Sequence, residues 1–346
     1  MSARAKNSRK TLAKPAAKAP VQAPAKTSTL WSRPAFWAAL ATIVLAGGAF
    51  AWLAVPEPER EPVDLAALPP GPVTRVESLY NDISLYKQND GNLLLSFGAA
   101  RLNYIESVVN PNDELDLPVY YTQSMTAGLA YAPSLEDAAI IGLGGGRTAW
   151  YHHKSVPGLK FTAVELDPEV ARLAETYFKV KPEPNFDVVI EDGRVWLSRT
   201  DQKFDLIMVD AYRGPFVPFH LLTTEFYQLV SDHLKSGGVA IQNVEPSTML
   251  FDSAVATIGA AFQNLEFLQS RGNIVIVAYN GPKRDEAELK RIASERQAQY
   301  DFRYDLNAIL DRRYQPTWNE ATKPLTDDFA PVEYLKAIER HNEKQT

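Results

Sequence analysis

Apolar and polar residues follow three rhythms along this chain, and each marks a different kind of segment. Between residues 73 and 119 the apolar runs are short or alternate with polar residues: TRVESLY, DISLYKQ, NLLLSF and LNYIESVV, separated by the turn sequences NDGN and NPND. That pattern predicts a small antiparallel β-region over 73–120. YTQSMTAGLAYAP (121–133) reads as one helix, with Pro133 shortly after its end. From residue 137 buried-looking strands alternate with helical segments. DAAIIGLGGG, KFTAVELD, FDVVIEDG, FDLIMVDAY and VAIQNV read as strands. TAWYHHKSV, PEVARLAETYF, RVWLSRT, TTEFYQLVSDHLKSGG (closed by Gly237) and SAVATIGAAF read as helices, and NLEFLQS with NIVIVAYN as a terminal hairpin. Strands alternating with helices imply parallel pairing in a doubly wound α/β sheet over 121–280. Residues 281–346 read as a charged helical tail on the surface.

The third rhythm is unbroken. AFWAALATIVLAGGAFAWLAV (35–55) carries no charge over 21 residues. At about 1.5 Å per residue it spans roughly 30 Å, one hydrocarbon core, with Trp31, Trp37 and Trp52 near its ends as interfacial aromatics. A cleaved signal would use Ala49-Phe50-Ala51, but its apolar core is typically about 7–15 residues, so a retained anchor is the expectation. Residues 1–34 are rich in Ala, Pro, Lys and Ser and read as a disordered basic tail, with eight Lys or Arg and no acid up to Arg33. The positive-inside rule then puts the N-terminus in the cytoplasm. Residues 56–72 read as a linker. The expected location is a single-pass protein of the inner (cell) membrane with its folded part periplasmic or extracellular.

Charge and composition narrow the partners. The net charge of −6 over 346 residues includes that basic tail, so the body is clearly acidic. An acidic body argues against nucleic acid and suits a cationic small molecule. The absence of cysteine excludes disulfides, thiolate metal sites and a cysteine nucleophile. No metal site is expected: His152 and His153 are adjacent on a helix, do not share a face, and read as surface or partly packed.

The candidate chemistry lies at successive strand ends. Gly142, Gly144, Gly145 and Gly146 form a turn, Glu165 ends the next strand 23 residues after Gly142, and Asp192-Gly193 end the third. In an open parallel sheet ligands bind at these ends; glycines admit the backbone to the ligand, and the following acid can hold ribose hydroxyls. Turn, Glu and Asp-Gly together indicate an adenosine ligand. No Lys-Ser/Thr pair follows the glycines, so this is not a phosphate-binding Walker loop. VELDPEVARLAETYF followed by VVIEDGRVWL is more like the class that binds S-adenosylmethionine or its relatives. Asp210 ends the fourth strand and would face the same cleft as a general base or an anchor for a cation. His220 follows in the next loop, where it would cover the cleft over the substrate or act in the chemistry directly. Arg147 and Arg213 either grip a carboxylate or are solvated surface residues. Of Tyr120 and Tyr121, one would line the pocket while the other packs.

The stretch FDLIMVDAYRGPFVPFHLLTTEFYQLV resembles the polyamine aminopropyltransferase (spermidine synthase) family, with Asp210, Leu221, Thr223, Phe226 and Tyr227 in the family's spacing. GLGGG, VELDP and EDGR resemble its cofactor motifs in order, and LTDDFAPVEYL (325–335) looks like the ending of its membrane-associated relatives. The resemblance covers roughly residues 75–335. It implies a Rossmann-like S-adenosylmethionine-dependent transferase fold, here with a small N-terminal β-region and one preceding transmembrane helix. It also implies transfer of an aminopropyl group from decarboxylated S-adenosylmethionine to putrescine or a related amine, as in polyamine biosynthesis. The donor is a co-substrate, with no permanently bound cofactor. Asp210 would deprotonate the amine, Glu165 hold ribose, Asp192 and Gly193 hold adenine, and Tyr121 line the amine pocket. Members are often dimers or tetramers, so a homo-oligomer is the expectation. Three positions depart from the pattern. Gly145 stands where the family's turn carries the Asp that binds the donor's amino group. Arg213 stands where an Asp holds the acceptor's far ammonium, and Thr122 where His or Gln follows the pocket tyrosine. Two other readings therefore stand beside aminopropyl transfer: a methyltransferase-like enzyme using intact S-adenosylmethionine, and a non-catalytic membrane-anchored binding module on the same fold.

Overall fold

The structure, a computed structural model, describes residues 63–65, 67–98, 104–212, 217–246 and 251–328. The basic tail, the apolar span 35–55 and the first part of the linker lie outside the described residues, as does Arg213. Among the described residues no helix is long and apolar enough to cross a membrane.

Four antiparallel strands come first, in spatial order β1 (Gly71–Glu77), β2 (Asp82–Lys87), β3 (Leu93–Phe97) and β4 (Tyr104–Val109). Alternation gives this sheet a dry face: Ile83, Leu85, Leu93 and Leu95 are buried, while Tyr86 stays exposed. Lys87 falls on the dry face, and its ammonium donates to the carbonyls of Leu65 and Leu68 at 2.7 and 2.8 Å. The β3–β4 ladder carries a bulge: Leu95 pairs with Ser107 and Ser96 with Ile105, leaving Glu106 as the extra residue.

The second sheet has eight strands: β5 (Asp137–Ile141), β6 (Lys160–Glu165), β7 (Phe186–Ile190), β8 (Phe204–Val209), β9 (Leu234–Val244), β10 (Asn264–Ser270), β11 (Asn273–Tyr279) and β12 (Arg313–Tyr314). Their order is β12-β10-β11-β9-β8-β5-β6-β7. β9, β8, β5, β6 and β7 run parallel, and β11 is antiparallel to both β9 and β10. β8 (FDLIMV) is buried at every position, as a central strand covered on both faces requires. Its residues alternate between two cores: Leu206 and Met208 enter one, Ile207 and Val209 the other. This is the Rossmann-like α/β class. The order reverses between β5 and β8, which places a crevice above their carboxyl ends.

The helices start where local chemistry says they should. Pro168 opens helix Pro168–Phe178, and the Asp167 carboxylate accepts from the Glu169 N–H. Asp192 caps helix Gly193–Arg199, and Thr223 caps Thr224–Asp232.

Three boundaries differ from the sequence expectation. The segment 121–133 forms two short helices, Tyr120–Met125 and Gly128–Tyr131. The second sits so close to the sheet that a Cβ on Gly128 would come within 3 Å of Leu206 and Ile241. The helix expected to end at Gly237 ends at Asp232, and Leu234 to Gly238 already belong to β9. The β8–β9 register shifts there, and Gly238 has room for no side chain against the Phe204 carbonyl. The tail after residue 281 contains helices Glu286–Tyr300 and Leu306–Leu310, but it also returns to the sheet as β12.

Candidate active site

The crevice at the strand ends is a cavity of about 830 Å³. Gly142, Gly144 and Gly146 of the turn, Glu165, Asp192, Gly193, Asp210, Tyr121 and His220 line it, so these separate sequence candidates meet in one place, while Gly145 is not among the lining residues. Part of its wall comes from the N-terminal sheet through Asn81, Glu106 and Ser107. The Asp167 carboxylate holds that sheet, accepting from the Ser78 hydroxyl at 2.5 Å and the Asn81 amide at 3.1 Å.

The turn is built by backbone that only glycine allows. Gly142 has φ +95°, and a Cβ there would lie 2.4 Å from the Asp210 carbonyl oxygen. The carboxyl ends of β5 and β8 are therefore in backbone contact. Gly144 and Gly146 also have positive φ, and Gly146 precedes helix Arg147–Ser155. Gly145 has ordinary φ; its N–H donates to the Ser107 hydroxyl at 2.8 Å, and Ser107 fills the space a side chain would need.

Glu165 is buried behind the turn. One carboxylate oxygen accepts from Leu143 N–H at 2.9 Å and Gly144 N–H at 3.4 Å, the other from Asp167 N–H at 2.9 Å. Burial raises its pKa, opposed by those three N–H groups. Asp192 accepts from the N–H groups of Arg194 and Val195 with one oxygen and meets His220 Nε2 at 2.8 Å with the other. His220 thus lies over Asp192, on a loop whose His220 carbonyl accepts from Arg194. Gly193 packs against β5, where a Cβ would clash with Ile141.

Asp210 carries the polar centre. Its oxygens accept from the Tyr121 hydroxyl at 3.0 Å and the Asn243 amide at 3.1 Å. Burial raises its carboxyl to about 6, with the two hydrogen bonds pulling the other way. Burial and the adjacent Asp210 charge raise the Tyr121 phenol, which remains a neutral donor. Asn243 is oriented by Asn273, whose side-chain amide donates to the Asn243 side-chain oxygen Oδ1 at 3.0 Å. A carboxyl of this kind is ionised at neutral pH and close enough to its pKa to take a proton from a nucleophile. Six described carboxylates (Asp82, Glu106, Glu165, Asp167, Asp192, Asp210) line the cavity against Arg147 and His220, so it suits a cation.

Other candidates are placed differently from expectation. Tyr121 lines the cavity, whereas the Tyr120 ring lies under Arg271 and Arg312 at 4.2 and 4.4 Å. Thr122 turns back to the Val119 carbonyl. Arg147 is not a solvated surface residue: it is 6 % exposed and donates to the Glu114 carbonyl at 3.0 Å. The two histidines are not on the surface either. His152 is fully buried, its pKa lowered by burial to about 4, with Nδ1 at the Thr148 carbonyl. His153 packs against Trp150 and Phe186 and meets Glu183. Both are core residues of a helix buried more deeply than its polar composition suggests. Sequence reasoning missed Asn243, Glu106 and Ser107. Asn243 had one available signal, its place near the end of the strand after Asp210.

The spermine/spermidine synthase domain family matches residues 119–277. A polyamine aminopropyltransferase of Vibrio vulnificus is 32 % identical over 270 residues, covering 75 % of this chain and 90 % of the relative. A probable polyamine aminopropyl transferase of Bifidobacterium longum is 29 % identical over 282 residues, covering 75 % of this chain and 61 % of the relative. Among solved structures, spermidine synthase from Thermotoga maritima superposes with a TM-score of 0.59 at 19 % identity, covering 71 % of this chain and 85 % of that one. That last likeness speaks to the fold.

Proposed function

The chain belongs to the spermine/spermidine synthase family of polyamine aminopropyltransferases, and from that premise we propose that it moves an aminopropyl group from decarboxylated S-adenosylmethionine to putrescine or a related amine. The observation that carries this reading is the Asp210–Tyr121–Asn243 cluster on the floor of an acidic cavity beside the glycine turn. The adenosine part would lie along the turn, with Glu165 at the ribose and Asp192 and Gly193 at the adenine. Before that, the bonds Glu165 makes to the turn would have to open or be shared, and His220 would have to leave Asp192 or stay as its cover.

The chemistry is a displacement at carbon. The neutral amine attacks the methylene bonded to the sulfonium; the carbon–sulfur bond breaks, its electron pair goes to sulfur, and methylthioadenosine leaves as a neutral thioether. The new secondary ammonium gives its proton to Asp210. Tyr121 and Asn243 hold that carboxylate so one lone pair faces the amine. The cavity's negative field suits a donor carrying two positive charges and a cationic acceptor.

Donor choice is the first test. Calorimetry on the purified protein is expected to give tight binding of decarboxylated S-adenosylmethionine and weaker binding of methylthioadenosine. Buried Arg147, on the cavity wall with its Nε hydrogen-bonded to no described group, is the feature that would favour a carboxylate. Binding of intact S-adenosylmethionine alone would therefore move the assignment to a methyltransferase-like enzyme.

We further propose that residues 35–55 anchor the protein in the cell membrane, with the N-terminus in the cytoplasm and the folded part outside it. The support is the charge-free span and the basic tail before it. A C-terminal reporter active only outside the cytoplasm is expected to be active; a reporter active inside would reverse the orientation. The homo-oligomer is a proposal by family likeness.

A further inference from the structure

We propose that Glu106, on the fourth strand of the N-terminal sheet, is the carboxylate that recognises the terminal ammonium of the aminopropyl donor. The inference deepens the aminopropyl-donor reading and rests on it. In a regular strand neighbouring side chains point to opposite faces, so Glu106 and Ser107 should not reach one cavity. Here both line it, together with Val108, and the ladder is irregular at this point: Glu106 is the extra residue of a β-bulge, with Leu95 paired to Ser107 and Ser96 to Ile105. Bulges re-aim side chains in this way next to functional sites.

The re-aimed pair bridges the two halves of the reaction centre. Ser107 accepts from the Gly145 N–H at 2.8 Å, which fixes this point of β4 against the turn. A Cβ on Gly145 would meet Ser107 Cβ at 3.0 Å, so Ser107 occupies the place a larger turn residue would use. One residue away, the Glu106 charge is felt by Tyr121, whose phenol it helps to raise. Glu106 therefore stands between the turn and the Tyr121–Asp210 pair. A three-carbon chain ending in an ammonium must run through that interval if its sulfonium lies by the turn and its reacting carbon faces Asp210. The other lining acids are placed elsewhere: Asp82 is paired with Arg75 on the neighbouring strand, Glu165 and Asp192 lie at the ends of the strands that follow the turn, Asp167 at the Ser78–Asn81 junction, and Asp210 at the reacting nitrogen.

Two probes separate recognition of the ammonium from recognition of the rest: decarboxylated S-adenosylmethionine, and its analogue with an S-propyl group in place of S-aminopropyl. The analogue keeps the sulfonium and lacks the amine. Wild-type protein is expected to prefer the aminopropyl donor. Glu106→Gln, which keeps the side chain's shape, is expected to weaken that donor about tenfold or more, the usual worth of a hydrogen bond to a charged group, and to leave the analogue unchanged. Glu106→Asp should keep part of the preference. Ser107→Ala should move both ligands alike, leaving the ratio intact. Equal losses for both ligands in Glu106→Gln, or no loss for either, would overturn the assignment while the donor reading stood. Failure of wild-type protein to bind either ligand would sink the donor reading and this assignment with it.

Discussion

Asp210→Asn is expected to lower kcat for aminopropyl transfer by about 10²–10⁴-fold, the usual contribution of a positioned general base. Donor affinity should survive, because the amide can still accept from Asn243 and donate to the Tyr121 oxygen. The wild-type kcat/KM should fall as pH drops through about 6, the value to which burial raises the carboxyl, with a slope of about tenfold per pH unit. The sign for stability is opposite. A carboxyl with its folded pKa above its unfolded one binds more protons folded than unfolded between the two. The stability it contributes is present below the unfolded value and is lost as pH rises through about 6. At neutral pH the ionised Asp210 is therefore a cost, of up to about 3 kcal/mol and less to the extent that cavity water reaches it. Asp210→Asn should raise the thermal midpoint of the ligand-free protein at neutral pH while removing turnover. Full activity in the variant would leave the cluster without its assigned role.

Gly142→Ala is expected to have the largest structural effect of any single methyl addition at the site. The position combines φ +95° with a Cβ 2.4 Å from the Asp210 carbonyl oxygen, and backbone cannot yield as a side-chain tip can. A cost of at least about 3 kcal/mol follows from the strain and the clash together. Loss of donor binding should accompany it, because the turn along which the adenosine part would lie is displaced. Gly145→Ala is the internal control: its φ is ordinary and its contacts are with the Ser107 and Phe178 side chains at 3.0–3.3 Å, which can give. Thermal unfolding with donor calorimetry should rank Gly142→Ala far below Gly145→Ala. Equal effects would mean that the turn is not held as described.

Much of this site is legible in the sequence because it depends on local signals. The turn glycines, Glu165, Asp192 and Asp210 each end an apolar strand, and the parallel fold brings successive strand ends together. The helix at Pro168–Phe178 is announced by its proline and its capping Asp167. What the sequence hides is set by contacts distant along the chain. Glu106 gains its direction from a bulge visible only in the pairing of β4 with β3. Asn243 becomes part of the centre only because β9 lies beside β8 and Asn273 turns its amide. His152 and His153 read as surface or partly packed and Arg147 as a carboxylate grip or a solvated residue, yet all three are buried on a helix that packs against β6. The break in 121–133 likewise comes from how closely Gly128 approaches the sheet.

The central claim is tested most directly by incubating the protein with decarboxylated S-adenosylmethionine and putrescine and following both products by mass spectrometry. The account predicts methylthioadenosine and spermidine in equal amounts, with both lost in Asp210→Asn. If neither putrescine nor any other di- or polyamine releases methylthioadenosine from a donor that demonstrably binds, the cavity holds an adenosyl ligand without transferring its aminopropyl group, and the proposed function is contradicted.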